Sequence, residues 1–176
     1  MLLCGSIFGR GDSRVVHIHL EAAIRAPVER VFDLARDIDV HQRSMSQTDE
    51  RAVGGRTSGR IGAGETVTWS ARHLGRRWTL TSRITAFDPP HSFVDEQAAG
   101  PFAWFRHEHR FEAVPGGTLM IDDWRHAAPF GVVGRVVDVV VLGPLLRRLL
   151  VQRNAVIARE AEAGNQDANR PRYHYR

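Results

Sequence analysis

The stretch from Phe102 to His126, FAWFRHEHRFEAVPGGTLMIDDWRH, predicts two antiparallel β-strands joined by a tight turn. Side chains alternate with a period of two on either side of Pro115-Gly116, and such a pair is typical of a hairpin turn. If these two residues form the turn, the register places His109 opposite Asp122. A slip of one residue would place His109 beside Asp123 instead.

One face of this predicted hairpin carries an unusual mixture of side chains. Period two puts aromatic rings, histidines and one carboxylate together on the concave face. A mostly apolar wall with a few convergent polar groups is typical of a ligand pocket. The predicted set on this face consists of Phe105, His107, His109, Phe111, Met120, Asp122, Trp124 and His126.

The elements before the hairpin are read from periodicity and from glycine and proline positions. Alternating apolar residues predict a strand over Val15–Ile24. Pro27 then begins an amphipathic helix. A second short helix is predicted over Asp39–Met45, with Asp39 as its N-cap. Further strands are predicted at Thr66–Leu74, Trp78–Phe87 and Ser92–Gln97.

An apolar helix is predicted from about Val132 to Glu162, with a kink or break at Gly143-Pro144. Arg135 and Asp138 argue against a membrane span, which needs roughly 20 uncharged apolar residues. One interpretation is a helix that covers a cavity as a movable lid. The other is an apolar helix that docks on a protein partner or touches a membrane surface. The predicted lid residues are Val132, Val136, Val140 and Leu146.

The order of these elements predicts an α+β fold. About six to seven antiparallel strands form a curved sheet, two short helices close one end, and the long kinked C-terminal helix encloses a cavity against the sheet. We expect a single ligand-binding domain over residues 14–163. A flexible leader is expected at residues 1–13 and a flexible tail at residues 164–176.

Composition excludes several classes of protein. With 43% hydrophobic and 25% charged residues, the chain is not a disordered protein. All 24 basic residues are arginine, so a Schiff-base, pyridoxal-phosphate or P-loop lysine is excluded. The arginines are spread along the chain, so no specific nucleic-acid partner is expected. The single cysteine, Cys4, and the lack of a recognisable signal predict a cytoplasmic location.

Three interpretations of His107, His109 and Asp122 remain open. They form a buried hydrogen-bonded network, orient a bound ligand, or move a proton as in a cyclase or dehydratase. The His-x-His spacing suits a two-histidine, one-carboxylate metal set, but no further ligand stands out, so no metal site and no cofactor are predicted. No Gly-x-Ser-x-Gly elbow is present, which disfavours a hydrolase.

Other aromatic and charged residues of the strands receive simpler interpretations. Trp69 joins the predicted ligand-binding set, while Trp78 and Trp104 either line the cavity or pack in the core. Arg72 and Arg83 are expected on the solvent side of the sheet, as are the two histidines of the first strand, His17 and His19.

Several short motifs occur in a recognisable order. They are Ile24-Arg25-Ala26-Pro27-Val28-Glu29-Arg30-Val31-Phe32-Asp33, Gly64-Glu65-Thr66-Val67-Thr68-Trp69, Ile84-Thr85-Ala86-Phe87-Asp88-Pro89-Pro90, Phe93-Val94-Asp95-Glu96, Gly100-Pro101-Phe102, His107-Glu108-His109-Arg110-Phe111, Gly117-Thr118-Leu119-Met120-Ile121-Asp122 and Pro129-Phe130-Gly131. In this order, over residues 15–160, the chain resembles the START-like helix-grip superfamily. That superfamily includes birch-pollen-allergen-like proteins, polyketide cyclases and lipid-transfer domains, and the resemblance is greatest to the bacterial ligand-binding SRPBCC branch.

The resemblance implies a cavity for a hydrophobic ligand between the sheet and the long helix, and it implies no catalytic set. We therefore expect a carrier or sensor of a small hydrophobic or amphipathic molecule, lipid- or polyketide-like. One alternative is a polyketide cyclase or dehydratase that uses His107, His109 and Asp122. The other is a protein- or membrane-interaction module that acts through the long apolar helix.

Overall fold

An eight-stranded antiparallel sheet is the framework of the protein in the computed structural model, which describes residues 4–6, 15–73, 75–129, 134 and 136–168. The strands lie in the order β1-β2-β8-β7-β6-β5-β4-β3. Their bounds are β1 Cys4–Ser6, β2 Val16–Ile24, β3 Arg51–Gly55, β4 Thr66–His73, β5 Arg76–Asp88, β6 Ser92–Ala99, β7 Trp104–Val114 and β8 Gly117–Ala127.

Strand β1 was not predicted, because it falls inside the expected leader over residues 1–13. Cys4, Gly5 and Ser6 pair with β2 through their backbone, opposite Glu21, Leu20 and His19. Backbone pairing of a three-residue edge strand requires no alternation of apolar and polar side chains, so the sequence carries no signal for it. The rest of that predicted leader lies outside the described residues.

The hairpin of β7 and β8 has the predicted register. Val114 pairs with Gly117, and His109 pairs with Asp122. Gly116 adopts a φ of 85°, a conformation that only glycine adopts readily, and so closes the two-residue turn. The turn thereby fixes which side chains of the two strands share the concave face.

Two short helices follow β2. Helix α1 spans Val28–Ala35 and helix α2 spans Ile38–Ser44, followed by a 3₁₀ turn at Ser46–Thr48. The predicted cap of α2 was wrong, since Asp37 rather than Asp39 accepts the backbone N–H groups of Asp39 and Val40. The carboxylate of Asp39 instead accepts the N–H of Gly59 at 2.9 Å and ties the glycine-rich loop to this helix.

The long C-terminal helix begins irregularly, as Gly143-Pro144 predicted. A π-helical turn spans Asp138–Leu142, in which the N–H of Gly143 reaches the carbonyl of Asp138, and helix α3 then spans Gly143–Ala168. Proline has no N–H and its ring presses on the preceding turn, which favours a widened turn at this point. The helix continues to Ala168 and therefore passes the predicted start of the tail at residue 164, and residues 169–176 lie outside the described part.

The core lies between the concave face of the sheet and the helices. Phe32 of α1 packs edge-on against Phe93 and Phe111, with ring centroids 5.8 and 5.5 Å away. Ile157 of α3 is fully buried in the same cluster. No helix among the described residues has the length and apolar character needed to span a membrane.

Candidate functional site

A cavity of about 800 Å³ opens between the sheet and helix α3. Residues of α2, of strands β4 to β8 and of α3 line it, and most of these side chains are apolar. Pockets of this size are typical of sites for small organic molecules. The principal apolar and aromatic lining residues are Ile38, Met45, Val67, Trp69, Leu80, Ile84, Phe93, Phe102, Phe105, Trp124, Leu145, Leu146, Leu149 and Leu150.

A polar cluster interrupts this apolar lining. Adjacent strands place Asp95 of β6 opposite His107 of β7, and His109 of β7 opposite Asp122 of β8. Directly paired residues share one face of a sheet, as do residues two apart along a strand. The two histidines therefore lie side by side, 3.8 Å between ring centroids, with one carboxylate on each flank.

Asp122 supports both histidines from below the cavity surface. Its Oδ1 lies 3.0 Å from His107 Nε2, in a hydrogen bond, and 2.6 Å from His109 Nδ1. Its Oδ2 accepts a hydrogen bond of 2.6 Å from Asn154 Nδ2 of helix α3. Burial opposes the charge, but interaction with His109 and the hydrogen bond from His107 hold the pKa of Asp122 well below its usual range. The carboxylate is therefore ionised.

His107 is held as a neutral imidazole. Burial, and next the proximity of His109, lowers the pKa of His107 from 6.5 to about 4, although Asp122 and Asp95 act in the opposite direction. Its Nε2 is turned to Asp122, which leaves Nδ1 on the side of Asp95. A ring nitrogen is thus available at the cavity wall near neutral pH.

Asp95 lines the cavity beside the two histidines and was not predicted as a site residue from the sequence. Its Oδ1 is buried without a hydrogen-bond partner among the described residues, 3.5 Å from His109 Nε2 and 3.7 Å from His107 Nδ1. Burial opposes its charge, but the histidines lower the pKa of Asp95 below its ordinary value. The sequence offered no further ligand group beside His-x-His, and the structure places the carboxylate of Asp95 next to both histidines.

Helix α3 contributes a buried cation to the cavity wall. Arg153 is 5% exposed, and its Nη2 donates to the carbonyl of Ala35 at 2.6 Å. Its Nη1 has no hydrogen-bond partner in the part of the chain that the structure describes and lies 3.6 Å from Asp122 Oδ1. The cavity wall therefore offers an acceptor, two imidazoles and a guanidinium within one small region.

A second polar pair lies in the same cavity beside Trp69 of β4. His41 of α2 stacks on Trp69, with ring centroids 4.2 Å apart. Its Nε2 hydrogen-bonds to Glu50 at 2.9 Å. His41 and Glu50 satisfy each other, whereas the cluster around Asp95 contains polar atoms with no hydrogen-bond partner among the described residues.

The structure brings half of the predicted ligand-binding residues to the cavity surface. Those that line it are Trp69, Phe105, His107, His109, Trp124 and Leu146. Four others are buried behind that surface, namely Phe111, Met120, Asp122 and His126. Of the remaining tryptophans, Trp78 lines the cavity and is partly exposed, while Trp104 is exposed outside it.

His126 has both ring nitrogens occupied inside the protein. Its Nδ1 accepts a hydrogen bond from Trp124 Nε1 at 2.8 Å, so its Nε2 carries the hydrogen and donates to Asp138 at 2.5 Å. Burial lowers its pKa in spite of Asp138. The pairing fastens the π-helical turn to β8 and leaves no ring nitrogen of His126 for a ligand.

The predicted positions of Val136 and Val140 were wrong. These side chains are 58% and 66% exposed, whereas Val137 and Leu142 line the cavity. The prediction assumed a regular α-helical period up to Leu146. The π-helical turn contains an extra residue, which changes the side chains that face the cavity. Val132 lies outside the described residues.

The outer face of the sheet carries a further histidine–carboxylate group. His17 and His19 of β2 are only partly buried, and both hydrogen-bond to Asp123 Oδ1, at 2.8 and 3.0 Å. Arg110 donates to Asp123 Oδ2 at 3.0 Å. Arg72 and Arg83 are exposed, as expected from the sequence.

Residues 15–162 match the family described as polyketide cyclase / dehydrase and lipid transport. The chain belongs to this family. A search of curated proteins finds no match. The match confirms the resemblance drawn from the sequence motifs.

Solved structures of other proteins share the fold of this chain. The Zhui aromatase/cyclase from Streptomyces sp. R1128 is 17% identical and superimposes with a TM-score of 0.69, over 88% of this chain and 98% of that chain. The protein TTHA0849 from Thermus thermophilus gives 0.65 at 19% identity, over 84% and 98%. Ara h 8.0201 gives 0.55 at 15% identity, over 81% and 98%. These likenesses establish the helix-grip fold.

Proposed function

We propose that the chain binds a small hydrophobic or amphipathic molecule, lipid- or polyketide-like, in the cavity between the sheet and helix α3, as a carrier or sensor. The observation that carries the proposal is a cavity of about 800 Å³ whose walls are largely apolar. Transfer of ligand surface into such a cavity stabilises the complex by roughly 25 cal/mol per Å² before the costs of association.

The polar cluster sets the orientation of the ligand. Asp95 Oδ1 and Arg153 Nη1 have no hydrogen-bond partner among the described residues, and both residues line the cavity. Buried polar groups without partners are rare in proteins, because each costs on the order of 1–3 kcal/mol. A ligand hydroxyl or carboxyl group at this wall would satisfy both, with its apolar part against Trp69 and Phe105.

Native mass spectrometry of the purified protein, followed by denaturing extraction, tests this function. We expect a discrete apolar molecule to accompany the protein or, if the cavity is emptied during purification, a fluorescent anilinonaphthalene sulfonate to bind with one site per chain. Ala71→Phe fills the cavity and should weaken probe binding at least tenfold. Ala86→Phe, on an exposed position of β5, is the matched control. Equal probe affinity in the two variants would contradict binding in this cavity.

A second candidate function is cyclase- or dehydratase-type catalysis in the same cavity. The observation that favours it is the pair of imidazoles at the wall, each with one ring nitrogen within 3.0 Å of Asp122 Oδ1. A histidine oriented by a carboxylate is suited to proton transfer. The assay incubates the protein with a linear β-ketoacyl thioester and measures loss of one water by mass. His109→Ala should remove turnover while it leaves the affinity for the fluorescent probe within twofold; unchanged turnover contradicts this candidate.

A further inference from the structure

We propose that Asp95, His107 and His109 form a binding site for a borderline divalent transition-metal ion, such as Zn²⁺, at the wall of the cavity. One ligand atom from each residue lies within 4.8 Å of the other two. Asp95 Oδ1 is 3.7 Å from His107 Nδ1 and 3.5 Å from His109 Nε2. The three residues come from neighbouring positions on two paired strands, so the sheet itself holds them in place.

The distances from Asp95 Oδ1 to the two histidine nitrogens fit shared coordination of one ion better than direct hydrogen bonds between the side chains. Ligands about 2.1 Å from a tetrahedral or octahedral ion lie about 3.0–3.4 Å from one another. The observed distances at Asp95 are slightly greater than this and longer than an ordinary hydrogen bond. Asp95 Oδ1 is buried without a hydrogen-bond partner in the described part of the chain. A metal ion between the three atoms would satisfy it.

The surroundings of the histidines are those of metal ligands. Histidines that bind metals almost always direct their other ring nitrogen to a carboxylate, a carbonyl or water. Here one carboxylate, Asp122, lies beside His107 Nε2 at 3.0 Å and His109 Nδ1 at 2.6 Å. Asn154 in turn hydrogen-bonds to Asp122 and fixes its orientation. The two ring nitrogens that remain are the ones that converge with Asp95.

The donor set indicates the class of ion. Two imidazoles with one carboxylate suit Zn²⁺, Fe²⁺, Co²⁺ or Ni²⁺, whereas Mg²⁺ and Ca²⁺ prefer oxygen ligands alone. All three residues line the cavity, so the remaining coordination positions would face it. Those positions would take an oxygen-bearing ligand, such as a ketone, hydroxyl or carboxylate, whose apolar part lies in the same cavity.

The outer group of His17, His19 and Asp123 is the competing site and is less suited to an ion. Both histidines already hydrogen-bond to one oxygen of Asp123, and Arg110 occupies the other. An ion there would have to displace these bonds. The inner cluster instead presents a carboxylate oxygen, Asp95 Oδ1, that has no hydrogen-bond partner among the described residues.

Metal binding is tested with the full chain after treatment with a chelator. Zn²⁺ titration by calorimetry and Co²⁺ titration by visible absorption report stoichiometry and affinity without any organic ligand, so the outcome does not depend on the proposed function. We expect one ion per chain, with affinity at least tenfold weaker in Asp95→Ala and in His107→Gln. Asp122→Asn should weaken binding by about 10- to 100-fold. His19→Gln and His41→Gln are the controls and should retain wild-type affinity.

Nuclear magnetic resonance of histidine-¹⁵N-labelled wild-type protein makes the test independent of variant folding. Zn²⁺ should shift the ring-nitrogen resonances of His107 and His109 and leave those of His41 unchanged. Absence of one-to-one binding, loss of binding in His19→Gln, or unshifted resonances of His107 and His109 would overturn the proposal. Because acid–base catalysis needs the same two nitrogens uncoordinated, a bound ion would also argue against that candidate function.

Discussion

Replacement of Asn154 by alanine tests whether the buried polar cluster fastens helix α3 to the sheet. Asn154 is fully buried, and its Nδ2 donates a 2.6 Å hydrogen bond to Asp122 Oδ2. Loss of a hydrogen bond to a charged group costs about 1.5–3 kcal/mol, and the better helix propensity of alanine returns a few tenths. We therefore expect the free energy of unfolding to fall by about 2 kcal/mol. For a domain of this size the melting temperature should then fall by about 4–8 °C.

Urea unfolding followed by tryptophan fluorescence measures this loss, because Trp124 is buried with its ring centroid 5.1 Å from that of His107. Arg148→Ala is the control, since Arg148 is exposed on the same helix. If the free energy of unfolding of Asn154→Ala lies within about 0.5 kcal/mol of that of the control, the contact with Asp122 does not stabilise the packing of helix α3 on the sheet. The reasoning for the cluster as an anchor would then be refuted.

Three other substitutions test separate parts of the structure. The hydrogen bond to Asp123 raises the pKa of His19. The stabilisation that this bond gives to the fold is therefore present below pH 6.5 and disappears as the pH rises through the pKa of His19 in the folded protein. His19→Gln should therefore lower the free energy of unfolding by up to about 1 kcal/mol at pH 5.5, but not at pH 9, in urea titrations at each pH; a pH-independent difference would contradict this account. Phe111→Ala removes a ring that is 1% exposed and should cost about 3–5 kcal/mol by the same titration, whereas a loss below 1 kcal/mol would mean that the site repacks. Thr118→Val breaks a buried 2.7 Å hydrogen bond to the carbonyl of Ala26 and should cost about 1–2 kcal/mol by calorimetric melting; an unchanged melting temperature would show that the bond contributes nothing.

The register of the hairpin could be predicted because a single local feature determines it. A two-residue turn at Pro115-Gly116 leaves one pairing that puts the apolar side chains on one face. From that register, the juxtaposition of His109 with Asp122 follows without any other part of the fold. The concave face of β7 and β8 was therefore accessible from the sequence alone.

Asp95 could not be placed in the same way. It lies on β6, and the segment from Gly100 to Ala103 between β6 and β7 is irregular, so no turn type determines the register of this pair. The sequence does indicate that Phe93 and Asp95, two residues apart on one strand, share a face of the sheet. It does not indicate which residue of the neighbouring strand lies opposite Asp95. Arg153 and Asn154 were missed because two adjacent polar residues on an amphipathic helix normally indicate the face that is exposed to solvent.

The order of strands in the sheet has a consequence for how the chain is made. Strand β2 is synthesised before β3 to β7, yet its long partner is β8, with Val16 against His126 and Ile24 against Thr118. Strands β3 to β7 can pair with sequence neighbours as synthesis proceeds, whereas β2 must wait until β8 has been synthesised. During that interval the apolar residues of β2 are without their native cover. Premature termination before Gly117 would give a protein without β8. The edge of β2 that pairs with β8 would then stay exposed, which makes such a protein prone to aggregation.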